Sequence, residues 1–109
     1  MKQVSAIVPT FNRKDDLLDC LNSLAKSSYK NLEIIVVDNA STDGTYDAVK
    51  QMFPDLKLIR NEWNMGVTGG RNKGAIEAKG DYLLFLDHDM IADRKMVEEL
   101  VKALESNAE

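Results

Sequence analysis

Residues 33–38 have the sequence Glu33-Ile34-Ile35-Val36-Val37-Asp38, in which the four central side chains are all apolar and β-branched. Such a run is typical of a strand that is buried on both faces near the middle of a parallel sheet. Three further runs of strand length lie at Val4–Val8, Leu56–Arg60 and Asp81–Leu86, and helical patterns alternate with these four runs. The alternation predicts an α/β fold with a parallel sheet between helices, and the polar third run suits an edge strand.

The composition indicates one globular domain over residues 1–109, because 44% of the residues are apolar and 29% are charged. A net charge of −4 argues against a nucleic-acid binder, which needs Lys and Arg to neutralise phosphates. The single cysteine, Cys20, excludes an internal disulfide and a thiolate metal cluster. No apolar stretch approaches the length of a membrane span. We therefore expect a cytoplasmic protein with no membrane span and no nucleic-acid partner.

The ends of the first two strands carry polar and aromatic side chains. In open parallel sheets, ligands bind at the carboxyl ends of the strands. We expect the first strand to end at Pro9, and the Thr10-Phe11-Asn12-Arg13 that follows has no glycine, which excludes the dinucleotide-binding turn. These side chains suit a base and a ribose instead. Asp38, after the second strand, can accept a hydrogen bond from such a ligand or can cap the turn that follows it, and both interpretations stay open.

The segment after the third strand is rich in glycine. We interpret Asn64–Gly70 as a loop in which Gly66, Gly69 and Gly70 let the backbone pass close to a ligand. Arg71 supplies a fork of donors next to a helix N-terminus, which favours an anion. The alternative is a flexible loop followed by a surface arginine.

Asp87-His88-Asp89 follows the fourth strand directly. On an extended chain the two carboxylates point the same way, and two such charges repel unless a cation or a proton lies between them. Mg²⁺ and Mn²⁺ accept ligands of this kind. Taken alone, the triplet also fits a solvated acidic loop. On the same extended chain His88 points to the opposite side, so we interpret it as a surface or packing residue.

Four segments, Val8–Arg13, Val37–Thr45, Asn64–Asn72 and Asp87–Asp89, resemble in order and spacing the successive motifs of family 2 glycosyltransferases. The resemblance covers essentially the whole chain. It implies the N-terminal half of a GT-A fold, which we expect as a three-layer sandwich with a mainly parallel four-stranded sheet in the order 3-2-1-4. It also implies a UDP-sugar or GDP-sugar as ligand, Mn²⁺ or Mg²⁺ as cofactor, and direct displacement with inversion at the sugar C1.

The resemblance also implies roles for individual residues. Thr10, Phe11 and Asp38 are expected to surround the nucleobase, and Arg71 to help hold the nucleotide. The full set of expected substrate-binding residues is Pro9, Thr10, Phe11, Asn12, Asp38, Asn64, Gly66, Gly70, Arg71 and Asp87, and the expected metal ligands are Asp89 and Asp87.

Within the acidic triplet, the resemblance implies that Asp87 contacts the ribose or the metal shell and that Asp89 ligates the metal bridging the diphosphate. Family members place the general base and the acceptor-binding groups in a second half of the catalytic domain, which has no match in this sequence. We therefore expect a truncated catalytic domain with weak or no transferase activity, and the catalytic residue stays unassigned.

Two further expectations concern an alternative function and self-association. A non-catalytic module, such as a receiver-like signalling domain that binds Mg²⁺, is the alternative, although Arg60-Asn61-Glu62 lacks the aspartate that would accept a phosphoryl group. The fourth strand, Tyr82–Leu86, is apolar on both faces and has no internal proline or lysine to protect an edge. We therefore expect a homodimer that pairs through this strand.

Overall fold

The structure is a computed structural model that describes residues 1–106. Strands and helices alternate along the chain as β1 (Val4–Thr10), α1 (Lys14–Ala25), β2 (Leu32–Asp38), α2 (Thr45–Met52), β3 (Lys57–Arg60), α3 (Gly66–Glu77), β4 (Tyr82–Phe85) and α4 (Met96–Ser106). All neighbouring strands pair in parallel, in the order β3-β2-β1-β4. The predicted α/β class and the strand order 3-2-1-4 are confirmed.

The sheet separates two apolar layers because successive side chains of a strand point to opposite faces. The larger layer joins alternate residues of β1 and β2 to α1 and α2, and it contains Ala6, Val8, Val36, Leu17, Cys20, Leu21, Leu24 and Val49. On the other face, α3 covers Ile7, Ile35 and Val37. Gly74 permits this contact, since a Cβ at that position would lie 2.4 Å from Ile7 Cγ2.

The first strand runs one residue past Pro9, so the expectation that Pro9 ends it was wrong. Ile7 O accepts a hydrogen bond from Leu86 N at 3.0 Å. The backbone N–H and C=O groups of the odd-numbered residues in β1 therefore point toward β4. The backbone nitrogen of Pro9, which carries no hydrogen, points to the same side, beyond the point where β4 ends. Proline is tolerated there because no neighbouring strand needs its missing donor.

The outer edge of β4 is open within residues 1–106, where β4 pairs only with β1. Tyr82 N donates to Gln3 O at 3.1 Å and Leu86 N to Ile7 O at 3.0 Å. Because backbone direction alternates along a strand, the N–H groups of Leu83 and Phe85 point away from β1. Their side chains are also 45% and 41% exposed. This edge therefore offers both backbone donors and apolar surface.

No helix in the described part of the chain combines the length and the hydrophobicity needed to cross a lipid bilayer. The cytoplasmic location expected from the sequence stays a prediction.

Candidate functional site

Two adjoining cavities lie at the carboxyl ends of the strands. The first, of about 140 Å³, is lined by Pro9, Thr10, Phe11, Asn39, Asn64, Gly66, Val67 and His88. The second, of about 220 Å³, is lined by Pro9, Val67, Asp87, His88 and Asp89. The structure thus brings together most of the predicted site residues in two connected walls. Asn12, Asp38, Gly70 and Arg71 lie outside these walls and contribute through the contacts described below.

The largest of the cavities, about 730 Å³, lies at the opposite end of the sheet and includes Glu33 and Lys79 in its walls. Glu33 Oε2 accepts hydrogen bonds from Ser5 Oγ at 2.6 Å and from Lys79 N at 3.0 Å. Burial raises the pKa of Glu33, but these hydrogen bonds outweigh it and hold the pKa below its usual value. This carboxylate is therefore committed to the fold, and size alone does not make the groove a functional site.

Asp38 ends β2 and is completely buried. Its Oδ1 accepts a hydrogen bond from Ser41 N at 3.0 Å, so the turn-capping interpretation is confirmed. Its Oδ2 has no hydrogen-bond partner among residues 1–106. Leaving a buried acceptor unpaired costs about 1 to 3 kcal/mol, and such an atom calls for an explanation. Asp38 therefore has one oxygen that holds the turn and one acceptor that has no partner among residues 1–106.

Asn12 joins the loops that follow β1 and β2. Its backbone φ is +50°, in the left-handed region that asparagine tolerates better than most residues. Asn12 Oδ1 accepts a hydrogen bond from Thr42 N at 2.7 Å, and Asn12 N donates to Ser41 Oγ at 2.9 Å. The contacts that the structure gives Asn12 are thus to the neighbouring loop.

Asn39 organises the start of α3, a role that the sequence analysis missed. Its Oδ1 accepts hydrogen bonds from Asn61 Nδ2 at 2.8 Å and from Met65 N at 3.3 Å, while its Nδ2 donates to Gly66 O at 3.2 Å. One side chain therefore links the ends of β2 and β3 to the first turn of α3. The only sequence signal was an asparagine directly after a strand, which is common in turns of any function.

The glycine-rich segment is mainly helix, so its interpretation as a loop through Gly70 was wrong. α3 begins at Gly66, whose φ of +75° suits glycine and whose missing side chain leaves open space beside the cavity. A Cβ on Gly70 would lie 2.8 Å from Pro9 Cβ and 3.1 Å from Asn39 Nδ2. Gly70 thus lets α3 approach β1 closely. The low helix propensity of glycine misled the prediction, because packing outweighs propensity here.

Asp87–Met90 forms a turn, closed by a hydrogen bond of 3.1 Å from Met90 N to Asp87 O, so the expected extended segment was wrong. We refer to these residues as the acid turn. Both carboxylates in it, those of Asp87 and Asp89, are exposed. Arg71 Nη2 lies 3.8 Å from Asp87 Oδ1, with the guanidinium 5.7 Å from the centre of the Phe85 ring. The structure therefore places Arg71 at the acid turn, although an exposed ion pair of this length contributes little stability.

His88 points into the site. Its Nδ1 lies 3.1 Å from Thr10 Oγ1, the ring is half-buried, and it lines both cavities. The turn causes this, because a tight turn rotates the middle side chain relative to an extended chain. The expectation that His88 points to the side opposite the two carboxylates assumed an extended chain and was wrong for that reason, whereas a half-buried ring agrees with its interpretation as a packing residue.

The acid turn can supply two carboxylates to a cation. Within residues 1–106, no group of three or more His, Cys, Asp or Glu side chains is placed to hold a metal by itself. Mg²⁺ and Mn²⁺ often take only one or two carboxylates and complete their shells with water and substrate phosphates. The exposed pair Asp87 and Asp89 fits that arrangement, in which the protein holds the metal jointly with a bound diphosphate.

The model of the family described as glycosyl transferase family 2 matches residues 5–109. This chain belongs to glycosyl transferase family 2. The family expected from the motifs is confirmed, and the alternative of a receiver-like signalling domain is wrong.

Curated relatives in this family include an uncharacterized glycosyltransferase of Haemophilus influenzae, 38% identical over 104 residues, or 95% of this chain and 35% of the relative. A second is the UDP-Glc:alpha-D-GlcNAc-diphosphoundecaprenol beta-1,3-glucosyltransferase WfaP of Escherichia coli, 38% identical over 90 residues, or 82% of this chain and 36% of that protein. The chain thus spans about a third of the length of these family 2 relatives.

Solved structures give the same fold. Residues 1–349 of S. aureus TarS, in complex with UDP-GlcNAc, are 31% identical with a TM-score of 0.87, covering 95% of this chain and 31% of that one. The mannosyltransferase PcManGT from Pyrobaculum calidifontis, in complex with GDP-Man and Mn²⁺, is 30% identical with a TM-score of 0.83, covering 99% of this chain and 33% of that one. The family 2 chain therefore matches the GT-A fold of these enzymes over nearly all of its residues.

Proposed function

We propose that residues 1–109 form the donor-binding domain of an inverting glycosyltransferase, which binds a UDP-sugar or GDP-sugar with Mn²⁺ or Mg²⁺ at the carboxyl ends of β1, β2 and β4. The observation that carries the proposal is the buried Asp38, whose Oδ2 lacks a partner in the described residues. Asp38 pairs in register with Thr10, which lines the first cavity. The ligands named for TarS and PcManGT support the same class of donor.

The nucleobase binds beside Thr10, Phe11 and Asp38 in this proposal. The ring of Phe11 is 41% exposed at the cavity and is available for stacking. A carboxylate oxygen can only accept hydrogen bonds, so Asp38 Oδ2 selects a base that presents a ring N–H. Uracil and guanine carry such a group, whereas adenine and cytosine have an acceptor nitrogen in the ring at the equivalent edge and a donor there only on the exocyclic amino group. UDP and GDP are therefore favoured over ADP and CDP.

The remaining predicted residues shape the site around the sugar and the phosphates. Pro9, Asn64 and Gly66 supply cavity wall, while Asn12 and Gly70 hold that wall in place through the loop and helix contacts described above.

The diphosphate binds at the acid turn in this proposal. Asp89 ligates the cation, Asp87 contacts the ribose or the metal shell, and Arg71 adds charge-assisted donors. A divalent cation bound there would offset the negative charge that develops on the departing diphosphate. We assign no general base within residues 1–106, and we propose that the base and the acceptor site belong to a part of the catalytic domain outside this chain. The chain alone should then transfer sugar weakly or not at all.

Calorimetry with UDP, GDP, ADP and CDP, each with and without Mn²⁺, tests the proposal. UDP or GDP should bind, and Mn²⁺ should strengthen that binding. Asp89→Asn should abolish the gain from Mn²⁺, whereas Asp93→Asn, a nearby acid outside the turn, should retain it. Nucleotide binding that is indifferent to EDTA would contradict the role of Asp89, and equal binding of ADP would contradict the role of Asp38.

Arg71→Ala tests the phosphate contact separately. The variant should weaken nucleotide binding by about 1 to 3 kcal/mol if Arg71 donates charge-assisted hydrogen bonds in the site. The matched control is Arg60→Ala, because the Arg60 guanidinium is also stacked on a ring, 5.1 Å from the centre of Tyr46. An equal loss of nucleotide affinity in the two variants would show that Arg71 makes no specific contact with the nucleotide and is a surface residue.

We also propose that two copies of the chain associate through β4, by pairing the edge strands or by covering them with a terminal segment of the partner. The N–H groups of Leu83 and Phe85 face the open edge, and both side chains are exposed. The strand Tyr82–Phe85 has no proline or lysine to discourage such pairing. A two-fold axis would satisfy both edges at once.

A further inference from the structure

The residues on both sides of the acid turn pack against α1. Leu86 and Ala92, which flank the turn, are only 3% and 9% exposed. Both belong to the apolar layer that contains Leu17, Cys20 and Leu21 of α1. The chain therefore leaves the core just before the two acids and returns to it just after them.

Two side chains of α1 contact the backbone of this segment at its two ends. Ser23 Oγ accepts a hydrogen bond from Ala92 N at 2.9 Å and donates one to Cys20 O at 2.6 Å. Cys20 Sγ lies 3.9 Å from Asp87 O, the same oxygen that closes the acid turn. Residues three apart on a helix share a face, and this face carries both contacts.

We propose that Ser23 is a positioning residue for the cation site, because its hydroxyl fixes Ala92 and thereby the placement of Asp89. The inference rests on the proposed function and extends it to a residue that touches neither metal nor nucleotide.

The chemistry of a hydroxyl explains why serine suits this position. A hydroxyl can accept from Ala92 N and donate to Cys20 O at the same time, whereas alanine can do neither. Without the acceptor, the N–H of the buried Ala92 would be left unpaired, and the segment would move to find another partner. Groups that orient metal ligands typically change metal affinity about 10- to 100-fold when they are removed.

The test measures Mn²⁺ binding directly, through the electron paramagnetic resonance signal of free Mn²⁺, in the presence of UDP and separately of GDP. Ser23→Ala should weaken Mn²⁺ binding about tenfold or more. Ser23→Thr restores the hydroxyl, and the groove that borders Ser23 has room for the added methyl group, so this variant should recover most of the lost affinity. Nucleotide affinity measured in EDTA should be the same in all three proteins.

Ser28→Ala is the matched control, because Ser28 is also half-buried but donates to Glu98 Oε1, at 3.4 Å, on α4. It should leave Mn²⁺ binding unchanged. Wild-type affinity in Ser23→Ala, or an equal loss in Ser28→Ala, would overturn the inference while leaving the proposed function intact. A wild-type protein that binds no Mn²⁺ with either nucleotide would overturn both. Loss of metal-free nucleotide binding in Ser23→Ala would show general disruption and would also overturn the inference.

Discussion

Replacing Asp38 with asparagine should weaken nucleotide binding and leave the stability of the fold nearly unchanged. Asparagine keeps the side-chain oxygen that accepts from Ser41 N at 3.0 Å. It replaces Oδ2, which has no partner among residues 1–106, with an amide nitrogen, so no hydrogen bond of the described residues is lost. A buried polar group without a partner costs about 1 to 3 kcal/mol with either side chain, so the free energy of unfolding should change by less than about 1 kcal/mol.

The same change should reduce the affinity for the nucleotide. The amide N–H₂ is a donor, so it cannot accept the hydrogen bond that the ring N–H of uracil or guanine would donate to Asp38 Oδ2. Losing a hydrogen bond to a charged group costs about 1.5 to 3 kcal/mol. At 1.4 kcal/mol for each factor of ten, the dissociation constant should rise about 10- to 100-fold.

Asp43→Asn is the control, because both oxygens of Asp43 have partners. Oδ1 accepts from Thr45 N at 3.1 Å and Oδ2 from Lys14 N at 3.0 Å, and these two donors belong to the first residues of α2 and α1. Burial raises the pKa of Asp43, but the hydrogen bonds from Thr45 and Lys14 outweigh it and lower the pKa below 3.8. An amide nitrogen would oppose one of these donors, so this variant should lose about 0.5 to 2 kcal/mol of stability.

Urea denaturation followed by circular dichroism, together with calorimetry of UDP and GDP, compares the two variants. Only Asp43→Asn should lose stability, and only Asp38→Asn should impair the base contact. If Asp38→Asn is destabilised as much as Asp43→Asn, then Oδ2 has a structural partner and the assignment of Asp38 to the nucleobase is refuted.

Three further predictions concern packing, pH and assembly. Gly74→Ala should lower the free energy of unfolding, because its Cβ would lie 2.4 Å from Ile7 Cγ2. Overpacking costs about 1 to 3 kcal/mol and alanine regains about 1 kcal/mol of helix propensity, so the net loss should reach up to about 2 kcal/mol, and a raised urea midpoint would contradict the contact. The lowered pKa of Glu33 contributes stability that is fully present above pH 4.5, its ordinary pKa, and is lost as the pH falls through the lower pKa of the folded state. Glu33→Gln should therefore make the free energy of unfolding depend less steeply on pH in the acid range. An unchanged dependence on pH would count against this contribution. Leu83→Pro removes an N–H that faces the open edge, so light scattering should find a monomer at concentrations where the wild type is a dimer. Leu83→Ala keeps the N–H and should still dimerise. A wild-type protein that is monomeric at high concentration would refute the proposed association.

Local patterns in the sequence were enough for the α/β class and for the central place of β2. The side chains of residues 34–37 point alternately to the two faces of the sheet, and all four are apolar. A strand of this kind is expected where both faces of the sheet are covered. The motif order was enough for the family and therefore for the strand order, and the end of the sheet that it assigns to the site stays a prediction. These features are recorded in neighbouring residues, so they can be read without knowing what lies across the molecule.

The tertiary structure alone decided how the site is built, because each of its details depends on residues distant in sequence. Gly70 is helical because Pro9 lies against it, and His88 enters the site because the acid turn brings it to Thr10. That Asp38 Oδ2 has no partner among residues 1–106 becomes apparent only when the donors around it have been placed. Ser23 and Ala92 lie 69 positions apart in the sequence, and no local pattern connects them. Hydrophobic periodicity reports which face of an element is buried, whereas hydrogen-bond partners across the fold are set by the packing of the elements together.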